Sequence, residues 1–344
     1  MKRIIALALT AVASPFLPAP AQAQAVTMED VIVTARQQPQ QASQLPLDWA
    51  VIDDSDLAMV AHTHINESFQ RIAGGWITRG NGQESLTALR SPVFTGPGSC
   101  GAFYVAEDGI SLRAPGFCNV NQLFDANTEQ AQRVEVIKGP ASALYGSGAM
   151  HGVINVLSLA TPEELMHQAG LEAGPHGYMR GKYQVGNRVG AHAFAAAINA
   201  TNDDGYKDDS GFTQFKGTLR HEYSGSTFNT STIFAGADLD QQTAGFIQGE
   251  DAYKDSDRKQ ENPNPEAYRE AWSMRLHSTI EIPLDEARSL SFTPYWRKNE
   301  MEFLQHFLPW QSVEENGHES FGLNSKFYQQ NESLQLAAGI DLEY

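Results

Sequence analysis

From Trp272 the chain alternates: Trp272, Met274, Leu276, Ser278, Ile280 and Ile282 interleave with Ser273, Arg275, His277, Thr279 and Glu281. Leu290, Phe292, Pro294 and Trp296 repeat the pattern against Ser291, Thr293, Tyr295 and Arg297. Phe321, Leu323 and Phe327 do so against Gly322, Asn324, Lys326 and Tyr328. The cleanest instance sets Leu334, Leu336, Ala338, Ile340, Leu342 and Tyr344 against Gln335, Ala337, Gly339, Asp341 and Glu343. A period of two puts one set on each face of a strand, and about 9–11 such residues cross a bilayer at a tilt. About nine such strands are expected, near 167–174, 177–187, 190–201, 211–222, 226–238, 267–282, 289–301, 319–330 and 333–344. Short turns at 186–190, 223–225, 284–288 and 330–332, with a brief one at 174–177, contrast with long polar loops at 201–210, 241–266 and 302–318. Long loops at one end and short turns at the other are the asymmetry of a transmembrane β-barrel. A soluble β-sandwich or solenoid would show shorter strands and more even loops.

The N-terminus fits export. Lys2 and Arg3 precede an apolar run, Ile4 to Val12, and small residues lead to Ala23 and Ala25. Residues 1–23 are expected to be a signal peptide, cut after Ala23 or Ala25. Prolines 15, 18 and 20 interrupt the run well short of the ~20 residues of a membrane anchor. The formal charge is −17, and loss of Lys2 and Arg3 leaves −19, so a nucleic-acid partner is excluded. Cys100 and Cys118, with 17 residues between them, can pair in an oxidising periplasm, closing a loop worth roughly 3 kcal/mol in the chain-entropy view. A metal site there would need further ligands, and no His lies between them.

Residues 45–160 read differently. Val51 to Leu57 suggests a strand running into a helix cap, and His64 to Ile72 has helical spacing ending at Gly74-Gly75. Leu86 to Arg90 and Phe103 to Gly109 suggest short strands with turns. No linker rich in Ser, Gly or Pro separates this α/β domain from the alternating region, as expected of a domain held inside a barrel.

The stretch Arg133 to Leu157 holds a β-rich run (Val134 to Ile137), a Gly139-Pro140 turn, Tyr145, three glycines (Gly146, Gly148, Gly152) and a second β-rich run from Val153. Strand, tight glycine-bearing connection, strand is its physical reading. It resembles the end of the plug domain of TonB-dependent outer-membrane receptors. Phe69 to Trp76, Ala88-Leu-Arg-Ser91 and Ala106-Glu-Asp-Gly109 resemble successive plug segments, and Glu29, Asp30, Val31, Ile32, Val33, Thr34 and Ala35 resemble a TonB box. An extended, β-branched segment of that kind can add a strand to a partner's sheet edge.

The resemblance implies four regions: signal peptide 1–23, TonB box and flexible Gln-rich tether 24–44, α/β plug 45–160, and the N-terminal part of an antiparallel outer-membrane barrel at 161–344. Family barrels have about 22 strands. The chain is therefore expected to be a fragment of a longer receptor or the product of a truncated gene. About 20 residues between signal and plug leave no room for an extra signalling domain. In the family, plug arginines pair with barrel acids and lock the plug. Arg90 and Lys138 hold the matching positions, although Lys cannot make the bidentate contact. Ser91 and His151 stand where the family usually has Gly.

The function implied is energised uptake of a scarce nutrient (a ferric siderophore, haem or cobalamin), with TonB, driven by ExbB and ExbD, as periplasmic partner and outer-membrane lipid around the barrel. No catalytic residue, resident metal or cofactor is expected. A passive porin or adhesin-like barrel and a non-transporting remnant are the rival readings. Gly146, Gly148 and Gly152 miss the dinucleotide fingerprint spacing. His62 and His64 are either two metal ligands or ordinary surface residues. Asp203, Asp204, Asp208 and Asp209, and Glu250, Asp251, Asp255 and Asp257, are either Ca²⁺ ligands, attractors of a cationic substrate, or solvated loop charge.

Overall fold

The computed structural model describes residues 32–33, 40–41, 47–80, 82–93, 103–114, 122–146, 148–331 and 334–344. The N-terminal half contains β1 (Ile32–Val33), β2 (Gln40–Gln41), β3 (Trp49–Asp53), α1 (Asp54–Val60), α2 (Asn66–Phe69), β4 (Gly75–Thr78), β5 (Leu86–Leu89), β6 (Phe103–Glu107), β7 (Ile110–Ser111), β8 (Arg133–Lys138), α3 (Ser142–Tyr145) and β9 (Gly152–Leu157). Single 3-10 turns span Gln122–Asp125 and Thr128–Gln130.

Five strands form one sheet in the order β3-β8-β9-β6-β7, with only the β6–β9 pair parallel. Asp53 starts α1 as expected, its carboxylate accepting from the Asp56 amide at 2.8 Å. Ala61, in the left-handed region at φ 46°, ends it by donating to the Leu57 carbonyl. One sheet face buries Ile52, Val134, Val136, Ile154 and Val156 against Leu57, Phe69 and Leu89, and the other packs Ile137 and Val153 on Tyr145 and Ala149. The β8–β9 connection is longer than a tight turn. It contains the helical turn α3, closed by Gly146 at φ 75°. Gly152 is required by space, because a Cβ there would stand 2.4 Å from the Ile137 carbonyl oxygen.

Nine longer strands follow: β10 (Met166–Ala173), β11 (Met179–Val189), β12 (His192–Asp203), β13 (Phe212–Ser224), β14 (Asn229–Gln242), β15 (Tyr268–Pro283), β16 (Arg288–Leu304), β17 (Val313–Gln330) and β18 (Gln335–Glu343). Each pairs antiparallel with its sequence neighbour, and β10 and β18 are the sheet's edges. All nine fall where the alternation placed them. Boundaries are corrected at both kinds of connection: β11 runs through most of the expected turn 186–190 to Val189, and β16 runs on to Leu304 while β17 begins at Val313, so the expected loop 302–318 shrinks to 305–312. Glu302 pairs with Glu315 and Glu300 with Gly317. On β17 both faces turn polar there, from Glu314 to Glu319, so hydrophobic alternation ends although the backbone ladder continues.

Burial in this sheet is inverted relative to a water-soluble fold. On β15 the polar Arg269, Ser273, Arg275 and His277 are buried, whereas Met274 and Leu276 are more than 40 % exposed. Phe234, Leu276, Trp296 and Phe321 share one outward row. Beside the short turns, the outward His192, Phe194, His221, Tyr223 and Phe228 stack on one another, with Phe194 4.6 Å from His221. Toward the long loops the outward row becomes Asp240, Glu270, Glu302 and Glu315. An apolar band with an aromatic margin, facing outward while the inner face is polar, is what lipid demands of a barrel strand. Among the described residues no helix is long and apolar enough to cross a membrane.

Candidate functional site

The N-terminal domain meets the inner face of the long strands through charge. Glu107 and Asp108 end β6 in a tight turn, with Asp108 at φ 49° and Gly109 at φ 83°. The Gly109 amide donates to the Asn155 side chain and the Ser158 amide to Asp108. These bonds hold both carboxylates outward from the sheet end. Asp125 and Glu129 follow from the two 3-10 turns, and Glu84 from the segment before β5.

Opposite them stand cations at inward positions of the long strands. Arg275 on β15 donates to one Glu107 oxygen through Nε at 3.1 Å and Nη2 at 2.7 Å, and to the Asp125 carbonyl at 2.9 Å. Lys216 on β13 donates to both Glu129 oxygens at 3.0 and 2.9 Å. Arg220 lies 3.9 Å from Asp108 and Arg269 3.5 Å from Glu84, the latter with its guanidinium stacked on Phe303. Arg180 donates to the His62 carbonyl at 2.8 Å, and Arg297 to the Ser111 carbonyl. The contact loosens toward β10 and β11, where a cavity of about 380 Å³ separates α1 from Gln168 and Lys182.

Burial sets the protonation of this interface. It pushes the Glu129 carboxyl up, but the groups around it, Lys216 first and Arg180 among them, together outweigh it and hold the group at about 2. Asp125 is buried without such a partner on its carboxylate and is pushed up to about 6 despite Arg275. Burial also raises Asp108. His62 and His64 are driven by burial to about 4, so both imidazoles are neutral near pH 7.

Both histidines are buried, which corrects the surface reading, and each is committed to holding the fold. His62 bonds Thr128 and Ser68 through its two ring nitrogens at 3.1 and 2.9 Å. The Asn66 amide donates to His64 Nδ1, whose Nε2 donates to the Glu84 carbonyl at 2.8 Å. Among the described residues no three His, Cys, Asp or Glu side chains gather to hold a metal. Loop carboxylates instead build turns: Asp203 accepts from the Gly205 amide, and Asp255 from the amides of Asp257 and Arg258.

Among the described residues, Arg90 and Lys138 are brought together on a plug acid. Both pair with Asp48, immediately before β3, and Lys138 also donates to the Ala73 carbonyl at 3.0 Å. The described ion pairs between the two regions therefore run opposite to the expected lock, with acids on the plug side and cations on the strands. In the sequence Glu107 and Asp108 stand out only as part of a motif, and Arg275 only as a polar step in an alternation. A cation at an inward strand position is the signal that could have found Lys216, Arg269 and Arg275.

Of the box residues, Ile32 and Val33 form a two-rung ladder with Gln41 and Gln40, so part of the expected tether is paired. Glu29, Asp30, Val31, Thr34 and Ala35 lie outside the described residues, as do Cys100, Cys118 and the signal segment.

An α/β domain seated by ion pairs on the polar inner face of long antiparallel strands defines a plug-and-barrel fold. Residues 41–153 match the TonB-dependent receptor plug domain family. Beyond those residues the likeness is one of fold. The structure is similar to the ferric citrate transporter FecA in its unliganded form (TM-score 0.72, 14 % identity, 87 % of this chain and 47 % of that one). It is equally similar to the siderophore receptor PiuA from Acinetobacter baumannii (TM-score 0.72, 14 % identity, 92 % and 48 %). The copper transporter OprC also matches (TM-score 0.66, 14 % identity, 87 % and 45 %). The chain thus spans about half the length of the solved structures it matches.

Proposed function

We propose that the chain is the plug and N-terminal barrel portion of an outer-membrane receptor that takes up a scarce chelated nutrient at the expense of TonB-transmitted energy. The observation that carries this reading is the seat itself, where buried plug carboxylates Glu107 and Glu129 are clamped by Arg275 and Lys216 of the strands. A passive pore has no use for a domain held in its lumen by buried charge. Residues 29–35 are the segment offered to TonB, with Val31 to Thr34 adding a strand to its sheet and ExbB and ExbD supplying the drive. Neighbours that carry ferric citrate, other siderophores and copper support a metal chelate as cargo class, with haem and cobalamin in the same range.

The test is uptake of radiolabelled iron, supplied as a panel of chelates, by cells expressing the protein with or without Val31→Pro. Proline cannot donate to a β ladder, so energised uptake should fall to background while the label still binds the cell surface. Equal uptake by both would identify a passive barrel. No uptake by either, with heat-modifiable protein in the outer membrane, would identify a non-transporting remnant.

A further inference from the structure

We propose that the wall beneath the plug is a selectivity element that passes net-anionic small molecules, such as a metal chelate with uncommitted carboxylates. This deepens the uptake reading and rests on it. Among the described residues, the wall cations divide by who neutralises them. Arg180 has Glu172, Arg220 has Glu222 and Arg297 has Glu343, all on the strands themselves. Lys216, Arg269 and Arg275 have ion-pair partners only on the plug: Glu129, Glu84 and Glu107. Any movement that carries the plug away therefore strips Lys216 and Arg275 of their counter-charges together and leaves Arg269 only the more distant Glu314 of β17.

Their placement forms a track. Arg269 and Arg275 lie on the same inward face of β15, six residues and so about 20 Å apart. Lys216 stands two strands away, in register with Ala237 and, through it, with Ser273. Phe303 lies against Arg269, but the inward residues near Lys216 and Arg275 on β14 are small (Ala235, Ala237), which leaves these two charges open toward the plug. A buried cation without a partner is costly, and a passing anion restores what the plug carboxylates supplied.

The acidic outer loops oppose this preference weakly. Asp251 and Asp255 are exposed, and at physiological salt their fields fade beyond about 8 Å. Charges enclosed by low-dielectric walls are screened far less, so the wall decides which sign of cargo passes.

The complete receptor that contains this chain, in a planar bilayer with the plug loosened by urea and a KCl gradient across the membrane, tests this by its reversal potential. The open pathway should prefer chloride to potassium by roughly tenfold. The preference should fall toward unity when Lys216→Gln is combined with Glu129→Gln, and Arg275→Gln with Glu107→Gln. Exchanging both partners keeps the seat neutral and hydrogen-bonded, so a folding failure is not built into the variant. An open pathway that prefers potassium, or one whose selectivity the paired exchanges leave unchanged, overturns the inference and leaves the uptake reading standing. Absence of any conductance across the urea range overturns the uptake reading, and the inference with it.

Discussion

Asp125 and Glu129 both face the strands, yet their environments push them in opposite directions. A carboxyl raised in the docked plug, as Asp125 is, contributes stability that is full below 3.8 and lost as the pH rises through about 6. Glu129, held at about 2, contributes stability that is full above 4.5 and lost as the pH falls through about 2. Asp125→Asn should therefore flatten the pH dependence of plug docking between 3.8 and about 6, an effect on the order of 2–3 kcal/mol. Urea midpoints of plug release, followed by fluorescence across that range, would check it. An unchanged slope would show that Asp125 is not the titrating group. The Arg275–Glu107 pair makes a complementary prediction. Glu107→Ala leaves a buried guanidinium uncompensated and should weaken docking by about 3–5 kcal/mol. Replacing both partners with apolar residues should cost far less. A double-mutant cycle on plug release measures the difference.

At the level of elements, the inverted strands and the compact plug sheet fail in different ways. Leu276→Arg, in the middle of the outward apolar row, should cost about 2–4 kcal/mol in folding into lipid vesicles, whereas Ser273→Ala on the inward face should cost about 1. Gly152→Ala drives a methyl into the Ile137 carbonyl and the Leu89 side chain, so the plug should lose about 1–3 kcal/mol in thermal or urea unfolding. The strands were legible because lipid on one side and polar filling on the other impose a period of two on local sequence. The extension of β17 to Val313 was not, since no apolar face survives there. The ion pairs were also illegible: Lys216 and Glu129 are 87 residues apart, and Arg275 and Glu107 are 168. Nothing local in a strand says which carboxylate will arrive opposite it. Arg90 and Lys138 were legible as a pair of plug cations, but not the nearby carboxylate, Asp48, on which the described structure gathers them.

Across the whole molecule, the line from the N-terminal segment into the plug passes two very different attachments. The ladder of Ile32–Val33 with Gln40–Gln41 is antiparallel and two rungs long. β3 is paired with β8 over five residues, from Trp49 opposite Ile137 to Asp53 opposite Arg133. Tension applied upstream peels the first ladder one rung at a time, at little force. The same tension then reaches Asp48, where Arg90 and Lys138 grip one carboxylate, and pulls β3 along its own axis, so that all five rungs bear the load at once. The two-rung ladder thus yields first, and the five-rung ladder behind Asp48 holds. Asp48→Asn should lower the force at which β3 slides from β8 in single-molecule pulling from the N-terminus, while leaving the first, weak event unchanged. Two cations gathered on one acid become, under load, the knot at which a rope begins to hold.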